Sequence, residues 1–515
     1  MTGMIGVPSV EVLRESRPLM PSVANALVNL RVQQRLSYPT LCELVFADPQ
    51  AAAELPIGSA ISVSLGPARD GLFDGRVTAV SHEHTSDQEV IVKIRAYDRL
   101  HELRTRQCVR DFVSLSSREV FSKIAAEVGL SVRLDTTGPL WPRLVQLKQS
   151  DFDFLHQIAQ RSGLHFFLQG STLVFITLAG EGPAIPLVFG ASLLDVRFEA
   201  NASAACSSVE VNAWDPWLAA LHTAKAATPR TGGENAGRFD LGDTALRRFG
   251  VAVQSAEQAR ALAQSELDRR GANAIAIQGT AEGQIGLRPG CRIETRGVSS
   301  RFDGTYVLTS VTHTLDATAG YLTAFDSALP ASGTLPEAAD VTIAEVIRVD
   351  DPKSLGRIRA RLSCFADLET DWLEVLLPAA GPDKGLVAVP DVGDTVLVLL
   401  VGRDPAQGIV LGGLFGSTAP KDTGVAGNSV KRLLLRTPGG QQLTLEDGTD
   451  RIRLEHGSGA CIELTAEATR IQGADGSFVE LTGSGSTLHS VGDLTIRAPG
   501  KRITIAAAAI DFEEA

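Results

Sequence analysis

The C-terminal part of the chain carries short apolar pairs, in which two large apolar residues stand two positions apart. The stretch QLTLEDGTDRIRLEHGSGACIELT at 442–465 holds three pairs, and turns such as Asp447-Gly448 separate them. Period-two alternation predicts short strands that each present one apolar ridge. The pairs are Leu433/Leu435, Leu443/Leu445, Ile452/Leu454, Ile462/Leu464, Val479/Leu481, Leu494/Ile496, Ile503/Ile505 and Ile510/Phe512.

One ridge per strand is too narrow to build a core within one chain, because a single-chain β-helix needs wider stacked apolar faces. Three copies wound about a common axis would pool their ridges and pair every strand edge. We therefore expect an intertwined trimeric β-helix, a stiff spike. Its predicted core residues are Leu443, Leu445, Ile452, Leu454, Ile462, Leu464, Val479, Leu481, Leu494, Ile496, Ile503 and Ile505.

An internal repeat organises the N-terminal part. Residues 28–100 alternate with period two and predict a strand-rich domain, either a barrel or a sandwich. The segment FDGRVTAVSHEH at 73–84 aligns without a gap on FDGTYVLTSVTH at 302–313, which places His84 on His313, and Ala96-Tyr97-Asp98 resembles Ala324-Phe325-Asp326. Such self-similarity predicts that one β-barrel unit occurs twice.

Helical signals interrupt the strands. Ser116 with Glu119 forms a capping box, Ser150 begins a second helix, and a third runs from Ser255 to Arg270 and ends at Gly271. A hairpin is predicted at 164–175. The fold class is thus mainly β with an α+β insert, and the expected domains are a first β-barrel (1–100), an α+β insert (101–204), a second β-barrel (205–338), a small barrel (339–420) and the trimeric spike (421–515).

The composition and charge of the chain argue against several classes of function. The 515 residues carry a formal charge of −12 and no basic tract, which excludes a nucleic-acid partner on electrostatic grounds. The six cysteines show no zinc-like spacing, and no apolar run reaches the length of a membrane span. The N-terminus has no signal-peptide pattern, so we expect synthesis and assembly in the cytoplasm.

Candidate chemistry is sparse. His82 and His84 share a strand face and could hold a metal, but the alignment of His84 with His313 favours a structural role. Asp151 and Asp153 could form an acid/base pair, but their place in a first helical turn favours helix capping. In NAWDPWLAAL, Trp214 and Trp217 mark either a sugar-binding surface or a buried contact. Common catalytic and cofactor motifs are absent, so we expect no enzyme and no cofactor.

The chain resembles the hub and spike proteins of contractile injection systems: VgrG proteins of type VI secretion, the spikes of extracellular injection systems and myophage tail hubs and spikes. The resemblance rests on QSDFDFLHQIAQRSGLHFF at 149–167 and GLRPGCRIETRGVSSRFDGTYVLTSVTH at 286–313. In the middle barrel it rests on VDDPKSLGRIRARL, Trp372, LLPAAGPDKGLVAVPDVGDTVLVLLV and GIVLGGLFG.

This resemblance implies that residues 1–100 and 205–338 are tube-like hub β-barrels, that 101–204 is the α+β hub insert and that 339–420 is an OB-fold. It also implies a homotrimer whose six hub barrels cap a hexameric inner tube protein, next to baseplate proteins. Sheath contraction would drive the spike into a target cell envelope. Some spikes of this kind end in a metal-binding His-x-His, whereas this chain ends in AAAAIDFEEA. A separate PAAR-type tip protein is therefore implied. The particle is phage tail-like and could be released outside the cell.

A second hypothesis is a trimeric tailspike-like enzyme that degrades polysaccharides with a pair of carboxylates in a groove. The acidic residues of the strand-rich C-terminal part do not single out such a pair, which makes this reading the weaker one. They are Glu446, Asp450, Glu463 and Glu480.

Overall fold

The computed structural model describes residues 8–84, 90–147, 149–203, 205–215, 220–232, 244–253, 255–329, 339–365, 367–416 and 418–513. The chain divides into two compact units, Met1–Leu414 and Phe415–Ala515. Within the described residues, no helix has both the length and the apolar content to span a membrane.

The first strand-rich segment follows the predicted alternation. In β5 the side chains of Ile61, Val63 and Leu65 are buried, while the residues between them are partly exposed. This segment contains β1 Val10–Arg14, β2 Arg17–Pro18, α1 Pro21–Asn25, β3 Leu27–Arg35, β4 Leu41–Phe46, α2 Gln50–Glu54, β5 Ala60–Leu65, β6 Asp70–His84 and β7 Val90–Tyr97.

The helix caps that the sequence predicts for the α+β segment are present. Ser116 and Glu119 form the predicted capping box, and Ser150 Oγ accepts a hydrogen bond from the Asp153 backbone N–H at 3.1 Å. The elements are α3 Glu102–Thr105, β8 Arg110–Ser116, α4 Ser117–Ala126, β9 Ser131–Leu134, β10 Leu140–Gln146, α5 Asp151–Arg161, β11 His165–Gln169 and β12 Thr172–Ile176.

The second strand-rich segment carries one long helix, for which Ser255 is the predicted N-cap. Its elements are β13 Glu181–Val188, β14 Leu193–Ala200, β15 Ser208–Asp215, β16 Ala220–Ala226, β17 Ala245–Ala252, α6 Ala256–Ala274, β18 Ile275–Glu282, β19 Cys291–Arg296, β20 Gly304–Val307, β21 Ser310–Asp316 and β22 Gly320–Asp326.

Strand order confirms the internal repeat. In the first copy the neighbours run β3-β4-β7-β6-β5, and in the second they run β14-β18-β22-β21, while β20 pairs with β19. The long strand β6 of the first copy thus corresponds to β20 and β21 together. Antiparallel pairing of β21 with β3 joins the two copies edge to edge in one eleven-stranded sheet.

The predicted correspondence of His84 with His313 is wrong. When Tyr97 is aligned on Phe325, Arg95 falls on Thr323; Arg95 pairs with Ala79 and Thr323 pairs with His313. His313 therefore corresponds to Ala79, five positions before His84, and a gapless alignment cannot represent the break between β20 and β21 in the second copy. His84 lies exposed at the end of β6, whereas His313 is buried in β21.

His313 makes the second copy sensitive to pH. Its Nε2 lies 3.1 Å from the Leu287 carbonyl oxygen, and its Nδ1 lies 3.0 Å from the Tyr321 hydroxyl. Burial lowers the pKa of His313 to about 4. Between this value and the unfolded value of about 6.5, the unfolded chain binds more protons, so stability falls as the pH falls through that window.

We expect the wild-type hub to lose on the order of 2 kcal/mol of unfolding free energy from this histidine between pH 7 and pH 5. The His313→Gln variant should lose that much less over the same range. Urea titrations at the two pH values measure the difference, and His84→Gln serves as the exposed control that keeps the wild-type dependence. An identical pH dependence in wild type and His313→Gln would contradict the assignment.

A small barrel follows within the same unit. Its buried residues lie on alternating positions, such as Val396, Val398 and Leu400. It consists of β23 Asp340–Arg348, β24 Arg359–Leu362, β25 Leu368–Glu369, β26 Glu374–Val375, β27 Thr395–Leu400 and β28 Gly408–Leu414, in the sheet order β25-β24-β23-β27-β28-β26.

Buried polar contacts tie this barrel to the α+β segment. Arg143 pairs with Asp111 at 2.7 Å and also donates a hydrogen bond to the Glu369 carbonyl. Arg161 Nη1 lies 4.0 Å from Asp404 Oδ2, and burial raises the pKa of this carboxyl. Two arginines of the α+β segment therefore anchor the barrel.

The C-terminal unit contains a hairpin of β29 and β30 and then a meander, β31 to β37, in which each short strand pairs antiparallel with the next along the chain. Tight turns join strands at 437–441 and 473–477, where Gly440 and Gly476 have φ of 87° and 95°. The strands are β29 Val425–Ala426, β30 Ser429–Val430, β31 Arg432–Arg436, β32 Gln442–Glu446, β33 Arg451–Glu455, β34 Cys461–Leu464, β35 Ala468–Gln472, β36 Phe478–Thr482 and β37 Gly485–His489.

Candidate trimer interface

One face of the C-terminal meander is apolar and uncovered. Leu443 pairs with both Leu435 and Leu454, and Leu445 pairs with Ile452, so the apolar side chains form two adjacent rows across the strands. Each of these side chains is 36% to 69% exposed in the single chain. We call this surface the apolar face: Leu433, Leu435, Leu443, Leu445, Ile452, Leu454, Ile462, Leu464, Ile471, Val479, Leu481 and Leu488.

An uncovered apolar face of this extent marks an interaction site, because soluble proteins rarely leave contiguous patches of this kind in water. Covering a half-exposed Leu or Ile side chain stabilises a protein by about 1 kcal/mol. Twelve such side chains on one sheet therefore favour association strongly. The two rows match the two apolar positions that the sequence pattern gives to each strand.

Eight of the twelve predicted core residues lie on this face. They are Leu443, Leu445, Ile452, Leu454, Ile462, Leu464, Val479 and Leu481. The other four are exposed and lie after the last strand, β37, in residues 490–513, where the described chain forms no strand. They are Leu494, Ile496, Ile503 and Ile505.

Four members of the face lie outside the predicted core: Leu433 and Leu435, which form one of the predicted apolar pairs, and Ile471 and Leu488, which the sequence pattern missed altogether. Ile471 pairs with Ile462 and Val479, and Leu488 pairs with Val479. Neither has an apolar residue two positions away inside its strand, because Thr469 and Ser486 take those places. The available signals were two long gaps in the series of apolar pairs, one between Leu464 and Val479 and one between Leu481 and Leu494.

The opposite face of the meander is held by ion pairs between neighbouring strands. Arg453 lies 2.8 Å from Glu463, and Arg470 lies 3.2 Å from Glu480. The hydrogen bond to Glu463 raises the pKa of Arg453. Opposite charges on facing positions fix the strand register, although exposed pairs of this kind contribute little to stability.

The acidic residues considered for catalysis take part in this polar face. Glu446 contacts Arg432 at 3.2 Å and Arg451 at 2.8 Å. The hydrogen bond from Thr449, together with those from the two arginines, holds the pKa of the Glu446 carboxyl below its usual range. Asp450 lies in a turn with a φ of 48°. Carboxylates neutralised by arginine are poor general acids, since protonation would break their ion pairs.

The remaining residues considered for catalysis, metal binding or sugar binding are placed as follows. Asp151 is buried and accepts hydrogen bonds from Arg110 at 2.6 Å and from Gln146 at 2.7 Å. His82 is exposed on β6, and among the residues that the structure describes no group of three or more His, Cys, Asp or Glu could hold a metal ion. Trp217 and the side chain of Trp214 lie outside the described residues.

Three family descriptions match the chain. Residues 50–317, more than half of the chain, match the Alg8 N-terminal domain. Residues 342–415 match the type VI secretion system/phage-baseplate injector OB domain, and residues 432–495 match the phage baseplate V C-terminal trimerisation domain. By its longest match the chain belongs to the Alg8 N-terminal domain family, and it carries the OB domain and the C-terminal trimerisation domain of phage baseplate V and VgrG-like proteins. The trimerisation domain coincides with the apolar face.

Solved structures share the fold. An E. coli component of the type VI secretion system, described as similar to the T4 tail proteins gp27 and gp5, is 15% identical with a TM-score of 0.52, over 78% of this chain and 99% of that one. The Francisella PdpA–VgrG complex, in its lidded form, contains a chain that is 8% identical with a TM-score of 0.52, over 93% of this chain and 79% of that one.

A curated relative gives a shorter match. A cytidine deaminase from Vibrio atlanticus (strain LGP32) is 30% identical over 146 residues, which make up 26% of this chain and 47% of that protein. This chain thus spans about half the length of that relative, and a match of this extent shows no family. The injector domains support a structural spike and not a tailspike enzyme.

Proposed function

We propose that three copies of this chain form the central hub and spike of a contractile injection machine, without enzymatic activity. The observation that carries the proposal is the apolar face, which a single chain leaves uncovered and three wound chains would bury. The predicted core residues, including the four after the last strand, would line that common axis. The described meander would form the wall of the spike.

The hub joins the spike to a hexameric inner tube. The repeat supports this step, because each chain carries two units with one strand order, so a trimer presents six similar units. A ring of six similar units matches a six-fold tube without requiring six chains. The predicted domain bounds at 100, 204, 338 and 420 belong to the same proposal.

Further partners follow from this placement. Baseplate proteins would surround the hub, a PAAR-type tip protein would cap the spike, and the spike would puncture the envelope of a target cell. The matched trimerisation domain and the similarity to the VgrG chain of the Francisella PdpA–VgrG complex support a trimer that carries a further protein. Assembly in the cytoplasm of a tail-like particle fits these partners.

The mass of the purified protein in solution tests the proposal. Light scattering after size exclusion should give about three times 54.5 kDa. In producing cells, deletion of the gene should abolish tail-like particles in electron micrographs, and a plasmid copy should restore them. A stable monomer of 54.5 kDa would contradict the proposed trimer.

A further inference from the structure

A cleft that the proposed function does not use lies against the first strand-rich segment. Its volume is about 570 Å³, within the range of about 300–1,000 Å³ that is usual for ligand sites. Residues of β1, β3, β5 and β6, of the hairpin β11–β12 and of the loop between β18 and β19 line it. Three segments that are distant in sequence thus enclose one space.

Strands β1, β5 and β6 give the cleft a surface of hydrogen-bond acceptors. Ser62 pairs with Leu13 on one side and with Asp74 on the other. Ser64 pairs with Glu11. Because residues that pair across antiparallel strands lie on the same face of a sheet, these side chains share one surface, and all of them line the cleft. Two carboxylates and two hydroxyls can accept hydrogen bonds there. We call this the acceptor surface: Glu11, Ser62, Ser64 and Asp74.

Arginines line the cleft from other elements. Arg35 is the last residue of β3, and Arg288 lies in the loop before β19, with its Cζ 5.9 Å from the centre of the Phe167 ring. Within the described ranges neither arginine has a carboxylate within ion-pair distance. Burial raises the pKa of Asp326, and the charge of Arg35 opposes that rise from further away. Two guanidinium groups are therefore available to an anion.

Apolar side chains lie beside these polar groups. Leu13, Leu168 and Ile285 line the cleft and are partly exposed. Phe73 and Phe167 also line it and are buried. A ligand in the cleft would therefore cover apolar surface while it contacts the arginines and the acceptor surface, and covering such surface favours binding. The cleft suits an amphipathic ligand.

The polar groups decide the class of that ligand. Arg69 is already paired with Glu11 at 3.2 Å, and both oxygens of Asp98 accept backbone hydrogen bonds. Arg35 and Arg288 favour a ligand with a carboxylate, because arginine binds this group through charge-assisted hydrogen bonds. The acceptor surface favours a ligand with several N–H groups. An extended peptide with a free C-terminus has both, whereas a fatty acid has the carboxylate alone.

We infer that the cleft binds the C-terminal end of another protein, as an extended peptide whose last side chain is apolar. Its carboxylate contacts Arg35 and Arg288, its backbone N–H groups donate to the acceptor surface, and its last side chain covers Leu168 and Ile285. Capture of a chain end in this way is a known mode of peptide recognition. The inference does not depend on the proposed trimer, because one chain forms the whole cleft.

Fluorescence anisotropy with the full-length protein tests the inference. The probe is a mixture of fluorescein-labelled hexapeptides with random residues, except that each ends in Leu, Ile, Val or Phe. With free carboxylates the mixture should bind with a Kd of about 100 μM or less, and with C-terminal amides at least about tenfold more weakly, because the amide has no charge for the arginines. Displacement of the probe by an equal concentration of decanoate would instead assign the cleft to a fatty acid and overturn the inference.

Arg288→Gln should weaken binding of the carboxylate mixture at least about fivefold and leave binding of the amide mixture unchanged. Arg35→Gln should act in the same way, and it keeps the test valid if the first variant disturbs its loop. Arg17→Gln is the control, since Arg17 is exposed on β2 outside the cleft, and it should change neither affinity.

Three results would overturn the inference. They are no binding of either mixture at about 1 mM, equal binding of carboxylates and amides, and equal weakening of both mixtures by folded Arg288→Gln and Arg35→Gln. A monomeric mass of the wild-type protein with the expected peptide binding would contradict the proposed function and leave this site intact. The failure of one proposal is therefore distinguishable from the failure of the other.

Discussion

Replacing Ile462 with Asp is expected to leave the chain monomeric. Ile462 lies in the middle of the apolar face, where it pairs with Leu454 on one side and Ile471 on the other. In a three-fold core the change brings three carboxylates together, and each buried unpaired charge costs several kcal/mol. Light scattering should give 54.5 kDa instead of about three times that mass.

Glu463→Gln is the matched control on the same strand. Glu463 points to the opposite face, where it pairs with Arg453 at 2.8 Å, and losing an exposed pair of this kind costs about 1 kcal/mol or less. This variant should stay trimeric, with a thermal midpoint close to that of the wild type. A trimer of Ile462→Asp with unchanged thermal stability would show that the apolar face is not the core of the spike.

Local signals predicted much of the fold. Ser116, Ser150 and Ser255 were identified as helix N-caps, and each accepts a hydrogen bond from the backbone N–H three residues later. Such caps depend on adjacent residues alone, which is why a sequence reveals them. The internal repeat was also visible, because its glycine-led turns and alternating strands recur in both copies.

Contacts between distant segments escaped prediction. Asp151 was interpreted through the helix dipole, but it also forms a buried ion pair with Arg110, forty-one positions earlier. Gly271 was assigned to the end of a helix, yet α6 continues to Ala274. A Cβ at Gly271 would lie 3.2 Å from the Cβ of Pro229, so close packing against a distant segment explains this glycine better than a cap.

In the candidate trimer interface, too, the local pattern could be predicted and the contacts with other segments could not. Period two placed Leu443, Leu445 and their neighbours on one face, since alternation alone decides which side of a strand a residue occupies. The same pattern at Leu494 and Ile503 has no strand in the single chain. A strand needs a hydrogen-bonded neighbour, and in the proposed spike that neighbour belongs to another copy.

Deleting residues 433–515 is expected to leave a folded monomeric hub that supports no working particle. The buried clusters of the N-terminal unit contain no residue beyond 414, so the hub and the OB barrel keep their cores. Circular dichroism of the truncated chain should show a cooperative thermal transition. Light scattering should show a monomer, since the truncation removes the apolar face that is proposed to hold the three chains together.

The functional consequence of the truncation is measured in cells that produce the tail-like particles. Because the tube-capping ring needs three chains in register, the truncated chain should yield few or no complete tail-like particles in electron micrographs, while Glu463→Gln should yield the wild-type number. If the truncated hub unfolded, the loss of particles would reflect folding, and circular dichroism detects that case. A folded truncated hub that built normal, active particles would refute the assignment of residues 433–515 to the spike, because assembly and puncture would then need no trimeric C-terminal core.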